Sequence, residues 1–131
     1  TLYRIRALMA FGDVEEGELG GFLEKEENLS QDGDAWVCGN AIVSGDAWVF
    51  KTSHYLVIGP MGSRNGFTTF FRTKNLFIGV SCGCFRGNVD EFVKKVKETH
   101  GDNKHAKTYL TAAELAKMQI DLTPEEDDPE E

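Results

Sequence analysis

The sequence predicts an α+β fold: a short N-terminal hexapeptide β-helix-like coil, an antiparallel β-meander and two C-terminal helices. Three observations predict it. Residues 34–51 repeat with a period of six, residues 54–87 alternate short apolar runs with glycine-rich turns, and from residue 88 the apolar spacing becomes helical. With 131 residues, 40% of them hydrophobic, the chain suits one domain, residues 1–122, which excludes a multidomain enzyme and leaves little room for a deep private active site.

The elements follow in order. Gly12-Asp13, Gly17 and Gly20-Gly21-Phe22 punctuate short apolar runs, so the lead-in reads as turns and short strands. The repeat itself spans residues 28–51, with Asn28 to Gly33 as a degenerate first unit. Ala35, Ala41 and Ala47 recur at one position, Val37, Val43 and Val49 two residues later, and Asp or Asn follows Gly33, Gly39 and Gly45. In hexapeptide coils such strands turn at the Gly-Asp/Asn corners and stack small or branched residues inward. Four hexads make little more than one coil and cannot bury a continuous core alone, so a homo-oligomer, a trimer or hexamer, is expected.

Residues 54–87 read as the meander: a strand at His54 to Ile58, a loop from Gly59 to Gly66, then strands at Phe67 to Arg72 and Phe77 to Ser81. Beyond it, Val89, Phe92, Val93 and Val96 fall at i, i+3, i+4 and i+7, flanked by Asn88 and Glu91 as a capping box and by Gly101 as a stop. The spacing predicts a helix over 89–100. A second helix is expected from a cap at Asp102 through residue 120, with a break where Thr111-Ala-Ala-Glu114 repeats the box pattern.

Charge separates by position. The formal charge is −8, but six of the 22 acids lie in residues 123–131, leaving 16 acids against 14 bases in the rest. The acidic end reads as a disordered tail, and the domain before it does not repel anions. No apolar run approaches the ~20 residues of a membrane span, and the N-terminal residues lack a signal-peptide core, so the chain is read as cytosolic. Cys38, Cys82 and Cys84 form no disulfide framework, and Cys82-Gly83-Cys84 does not match the usual zinc hooks, so neither metal nor cofactor is expected.

Two segments carry chemistry. Gly59 to Gly66 ends a strand with several glycines, whose backbone amides approach a ligand closely, beside Ser63, Arg64 and Asn65; this is a kit for phosphate. It is neither a Walker loop nor a dinucleotide fingerprint, and a plain hairpin turn with an exposed Arg64 would look the same. Ser81 to Gly87 offers Phe85 as a stacking face, although a core Phe85 fits equally, and Asn103 with Lys104 sits at a polar joint between helices. No Ser-His-Asp arrangement, His-x-x-x-His or paired-carboxylate motif stands out, so no catalytic residue is expected.

The runs His54 to Phe71, Val80-Ser-Cys-Gly-Cys-Phe85 and Thr99-His-Gly-Asp-Asn-Lys-His105 resemble the phage anti-Thoeris sponge family, the first type of Thoeris anti-defence protein. The likeness covers about residues 54–120; the hexads resemble a wider class of bacterial and phage repeat modules. It implies a protein of the infected bacterial cytoplasm that captures cyclic ADP-ribose isomers without cleaving them, and cyclic di- or trinucleotides of CBASS immunity at a second site. On this reading Arg64 and the backbone amides of Gly62, Ser63, Arg64, Asn65 and Gly66 hold the pyrophosphate, with Thr68 beside them, Phe85 or another aromatic stacks on adenine, and Asn65, Asn103 and Lys104 meet ribose or phosphate oxygens. Two alternatives stay open: a structural hexapeptide oligomerisation module, and a nucleotide-processing enzyme.

Overall fold

A computed structural model describes residues 1–11, 14–30, 35–49, 51–62 and 64–123. Apart from Thr123, the expected acidic tail lies outside the described residues, as do Gly12, Asp13, residues 31–33 of the degenerate hexad, Asp34, Phe50 and Ser63. Strands β1 (Tyr3–Arg6), β2 (Leu19–Leu23) and β3 (Ile42–Val43) form one sheet in that order; β4 (Tyr55–Met61), β5 (Gly66–Arg72), β6 (Ile78–Cys82) and β7 (Phe85–Asn88) form a second, antiparallel throughout. Helices α1 (Val89–His100) and α2 (Lys104–Gln119) complete an α+β chain.

The second sheet is the middle of three layers because its strands are apolar on both faces. On β5, Phe70 joins the cluster under the helices with Ile78, Val80, Phe92, Val96, Tyr109 and Ala113, while its neighbour Phe71 joins the other cluster with Val37, Val43 and Val49. The period of two repeats on β4, where Leu56 and Ile58 face the helices and Tyr55 and Val57 face the N-terminal layer. A strand buried on both sides loses the polar alternation of a half-exposed one. Two hydrogen bonds knit sheet to repeats: the Ile42 amide donates to Thr69 Oγ1 at 3.0 Å, and the buried Ser44 and Ser81 hydroxyls lie 3.0 Å apart.

In the N-terminal layer the lead-in pairs in parallel with the repeats. Phe22 and Leu23 lie beside Ile42 and Val43, and Leu29 bridges Val49. Ala41, Ala47, Val37, Val43 and Val49 are fully buried and Ala35 nearly so. Hydrogen bonds from Ala41 to Cys38 and from Ala47 to Ser44 close a turn in successive hexads. Asn28, also fully buried, donates to the carbonyls of Gly45 and Ala47 and accepts from the Lys25 amide, so one amide ties three backbone segments. Regular strand among the described hexads is confined to β3.

The helices stand on the outer face of the second sheet. The Asn88–Glu91 capping box forms as the spacing predicts, and Gly101 follows α1 at φ 64°. Phe92 meets Phe70 and Tyr109 edge-on, at 5.8 Å in each case, which locks α1 to both the sheet and α2. At the far end the Asp121 amide donates to the Ser53 carbonyl and its carboxylate pairs with Lys51 at 3.6 Å.

Four local expectations are corrected. Strand β4 continues to Met61 and β5 begins at Gly66, so the expected 59–66 loop contracts to the tip 62–65; Met61 already pairs with Gly66. Residues 85–88, expected only as the close of the meander and given no strand of their own, form β7 against β6. The cap of α2 is Asn103, whose side chain accepts from the Ala106 amide, rather than Asp102. No break occurs at Thr111, whose hydroxyl donates to the Lys107 carbonyl within the unbroken helix.

Candidate functional site

The β4–β5 hairpin reaches across to α2, and glycine permits the approach. Gly62 has φ 79°, and a Cβ built there would run into the Tyr109 hydroxyl and ring carbon, so only a bare Cα lets the tip settle on the helix. Asn65, with φ 50°, takes the second left-handed position, and its amide donates to the Gly62 carbonyl at 3.3 Å. Arg64 and Asn65 are exposed at the tip, and Gly66 opens β5 beside them.

Tyr109 links this tip to the joint between the helices. Its ring stacks on His100 at 5.7 Å and 26°, and His100 in turn lies 5.7 Å from His105. Asn103 and Lys104 lie in the same joint, where α2 begins. An open groove of about 620 Å³ runs along that first stretch of α2, lined by Asp102, Asn103, Lys104, Lys107, Thr108 and Thr111. Two lysines and the N-terminal amides of a 16-residue helix give this groove a positive end. The structure therefore gathers Gly62, Arg64, Asn65 and Gly66 at the tip, whereas Asn103 and Lys104 line a separate groove at the start of α2, on the helix face away from Tyr109 and with no described tip residue in its lining.

The remaining expected residues do other work. Thr68 is buried, and its hydroxyl donates to Cys82 Sγ at 3.2 Å on the helix-facing side of the sheet. Phe85 is half-buried with its ring 5.6 Å from Phe92 and packs on the core cluster, so it lies against the helices rather than at the tip. Asn103 spends its side-chain oxygen on the α2 cap. Ser63 lies outside the described residues.

Sequence reasoning missed Tyr109 as the neighbour of the tip, and the His100 and His105 rings that follow behind it. The signal was the i, i+4 pair His105 and Tyr109, which an apolar helix face absorbs without remark. A second polar group sits on the opposite side of the sheet, where Tyr55 accepts from the Cys38 amide at 3.1 Å. Burial, and then a hydrogen bond with the Cys38 side chain, push its phenol up to about 12.

Among the described residues, no three His, Cys, Asp or Glu side chains gather as a metal-binding set, and no helix is long and apolar enough to cross a membrane. An apolar concavity lies away from the tip, at one end of the N-terminal layer. It measures about 660 Å³, with the core residues Leu23, Leu29 and Ala35 in its lining and Tyr3, Leu8 and Met9 at its rim. The chain matches no family model, no curated protein and no solved structure.

Proposed function

We propose that this protein binds and sequesters phosphate-bearing signalling nucleotides of the cyclic ADP-ribose class, without cleaving them, at the hairpin tip and helix joint. The observation that carries the reading is the exposed Arg64, held on a tip that Gly62 seats against Tyr109, with Lys104 in the groove at the start of α2. A guanidinium matches a pyrophosphate in bidentate geometry, and the lysines add long-range attraction. The half-buried His100 ring, backed by the buried Tyr109, offers a face for a base at the joint, where Phe85, packed on the core, does not. Capture by mass action must be tight: a ~10 nM site corresponds to about −11 kcal/mol.

On the resemblance to phage sponges, the proposed setting of this activity is the cytoplasm of an infected bacterium, where removal of the signal would silence Thoeris effectors. It adds a second site for cyclic di- or trinucleotides of CBASS immunity. The finer reading of residues 28–51 as a hexapeptide coil belongs to the same proposal, supported by the inward Ala and Val columns and the turn in successive hexads. So does the homo-oligomer, a trimer or hexamer.

The test is recovery. Cyclic ADP-ribose isomer mixed with the protein should vanish from the filtrate and return chemically unchanged on heat denaturation; linear ADP-ribose in its place would make the chain an enzyme. Arg64→Ala should weaken capture ~10- to 150-fold, as expected for a lost charge-assisted hydrogen bond worth roughly 1.5–3 kcal/mol, while leaving the fold intact. Unchanged affinity would leave the tip as a simple turn. A second reading, an oligomerisation module without ligand, is favoured by the apolar concavity at the end of the N-terminal layer; oligomers that hold no nucleotide would establish it.

A further inference from the structure

A separate cleft opens on the face of the second sheet that the repeats do not fully cover. It measures about 390 Å³, within the range of small-molecule sites, and runs from the Ser44–Asp46 turn across β6 and β7 to the start of α1. The ladder explains its floor: Ser81 lies opposite Arg86 and Gly79 opposite Asn88, so these residues share the face turned toward the N-terminal layer. Gly79 adds no side chain there, since Phe71 occupies the space a Cβ would need.

Its walls are fixed in place. Phe77 is 64% exposed yet stands on a tightly tied turn: its amide donates to Thr73 Oγ1 at 3.1 Å, its carbonyl accepts from the Thr73 amide at 2.9 Å, and the Lys74 amide anchors the turn to Asp46 at 2.8 Å. Leu76, just before it, has φ 63°, a conformation costly for a branched apolar residue, and such strain persists where the surroundings impose it. An apolar ring is thus displayed to solvent on a rigid support. Across the cleft, Arg86 Nη1 donates to the carbonyls of Gly83 and Phe85 at 2.7 and 2.8 Å, which orients the guanidinium. Glu24 accepts from the Gly45 amide and Glu91 from the Asn88 amide, each through one oxygen at 3.0 Å, so both carboxylates are aimed while retaining acceptor capacity.

The charges select the ligand. Glu24, Asp46 and Glu91 against Arg86 leave the cleft with a formal charge of −2, which disfavours a phosphate. Acceptors around an exposed aromatic face suit a ring that has an apolar C–H face and many hydroxyl donors. We propose that this cleft binds an uncharged sugar ring, a pyranoside whose C–H face lies on Phe77 and whose hydroxyls are held by Glu24, Asp46 and Asn75, with Arg86 donating to a sugar oxygen. The slightly positive C–H bonds of a pyranose complement the negative face of the phenyl ring. Carboxylate acceptors bridge hydroxyls without the desolvation cost that an unpaired buried charge would carry, because the cleft is open to water on one side.

Saturation-transfer NMR on the full chain tests this with three probes at millimolar concentration: methyl β-D-glucopyranoside, methyl β-D-galactopyranoside and methyl N-acetyl-β-D-glucosaminide, with adenosine monophosphate as the anionic counter-probe. At least one glycoside should show transfer to its ring C–H protons. Phe77→Ala and Asp46→Asn should each weaken that binding by a factor of ten or more with an unchanged amide spectrum, while Phe77→Trp should preserve it. Arg64→Ala should leave it untouched, which separates this cleft from the hairpin tip. Transfer to none of the glycosides, transfer undiminished in Phe77→Ala, or Arg86-dependent binding of adenosine monophosphate at this cleft would each overturn the proposal.

Discussion

Tyr55 shows how one side chain records the layered packing in its titration. Its phenol is raised from 10.0 to about 12, chiefly by burial between sheet and repeats and then by the Cys38 side chain. The folded protein therefore holds this proton more tightly than the unfolded chain does, and the stability it contributes is fully present below pH 10. That stability is lost as the pH climbs from 10 toward 12. In Tyr55→Phe the loss of melting temperature between pH 9 and pH 11.5 should be shallower than in the wild type; parallel slopes would show that Tyr55 ionises freely in the fold. Gly62 makes the opposite kind of statement, since its contribution is the absence of atoms. Gly62→Ala meets both a left-handed φ, costing roughly 1–2 kcal/mol, and the Tyr109 ring, so the tip must lift from α2. The expected result is a lowered melting temperature together with weakened nucleotide capture. Were capture to survive intact, the seating of the tip would be irrelevant to binding.

Elements differ in how far local sequence determines them. Helix α1 was legible to the residue because a helical apolar period, a reciprocal capping box and a stop glycine all agreed. The start of α2 slipped by one because Asp102 and Asn103 are both good caps, and only the register of the Ala106 amide distinguishes them. Strand β7 was illegible: Phe-Arg-Gly-Asn has no strong strand propensity, and its extended form is imposed by the ladder to β6. The tip was legible as a turn from Gly62 and Asn65, but its neighbours were not, since nothing local says that a hairpin will settle on Tyr109. Asn103 belongs at this scale, because its cap competes with any ligand for the same oxygen. Asn103→Ala should cost about 1 kcal/mol of stability, whereas Asn103→Asp keeps the cap. If Asn103 also binds nucleotide, the aspartate variant should melt like wild type yet bind more weakly, its added negative charge facing phosphate; equal affinity in both would confine Asn103 to capping.

At the scale of the whole molecule, three layers enclose two clusters, and only one of them is closed. The cluster between sheet and helices is covered by Phe92, Tyr109, Ala113 and Ala116. The N-terminal cluster ends at the concavity where Leu23, Leu29 and Ala35 meet solvent, rimmed by Tyr3, Leu8 and Met9 at 62, 79 and 71% exposure. Leu2 and Leu19 add to the same module, at 38 and 53% exposure, so the exposed large apolar side chains concentrate around one end of the repeats. A contiguous apolar patch rimmed by polar residues marks an association surface, and β1 carries an outer edge that no described strand pairs. A head-to-tail contact is consistent with the charges nearby, Arg4 and Arg6 on β1 of one copy against Glu15, Glu16 and Glu18 on the following turn of the next. If the proposed homo-oligomer closes here, light scattering at micromolar concentration should report a mass three or six times 14.6 kDa for the wild type. Leu8→Glu with Met9→Glu should then reduce it to the monomer, by placing charges in a surface that must lose its water. Met118→Glu, on the equally exposed outer side of α2 at 78%, is the control that should leave the oligomer whole. A wild-type monomer at that concentration would remove the oligomer from the proposal; an oligomer insensitive to the Leu8 and Met9 changes but broken by the Met118 change would move the contact to the helices.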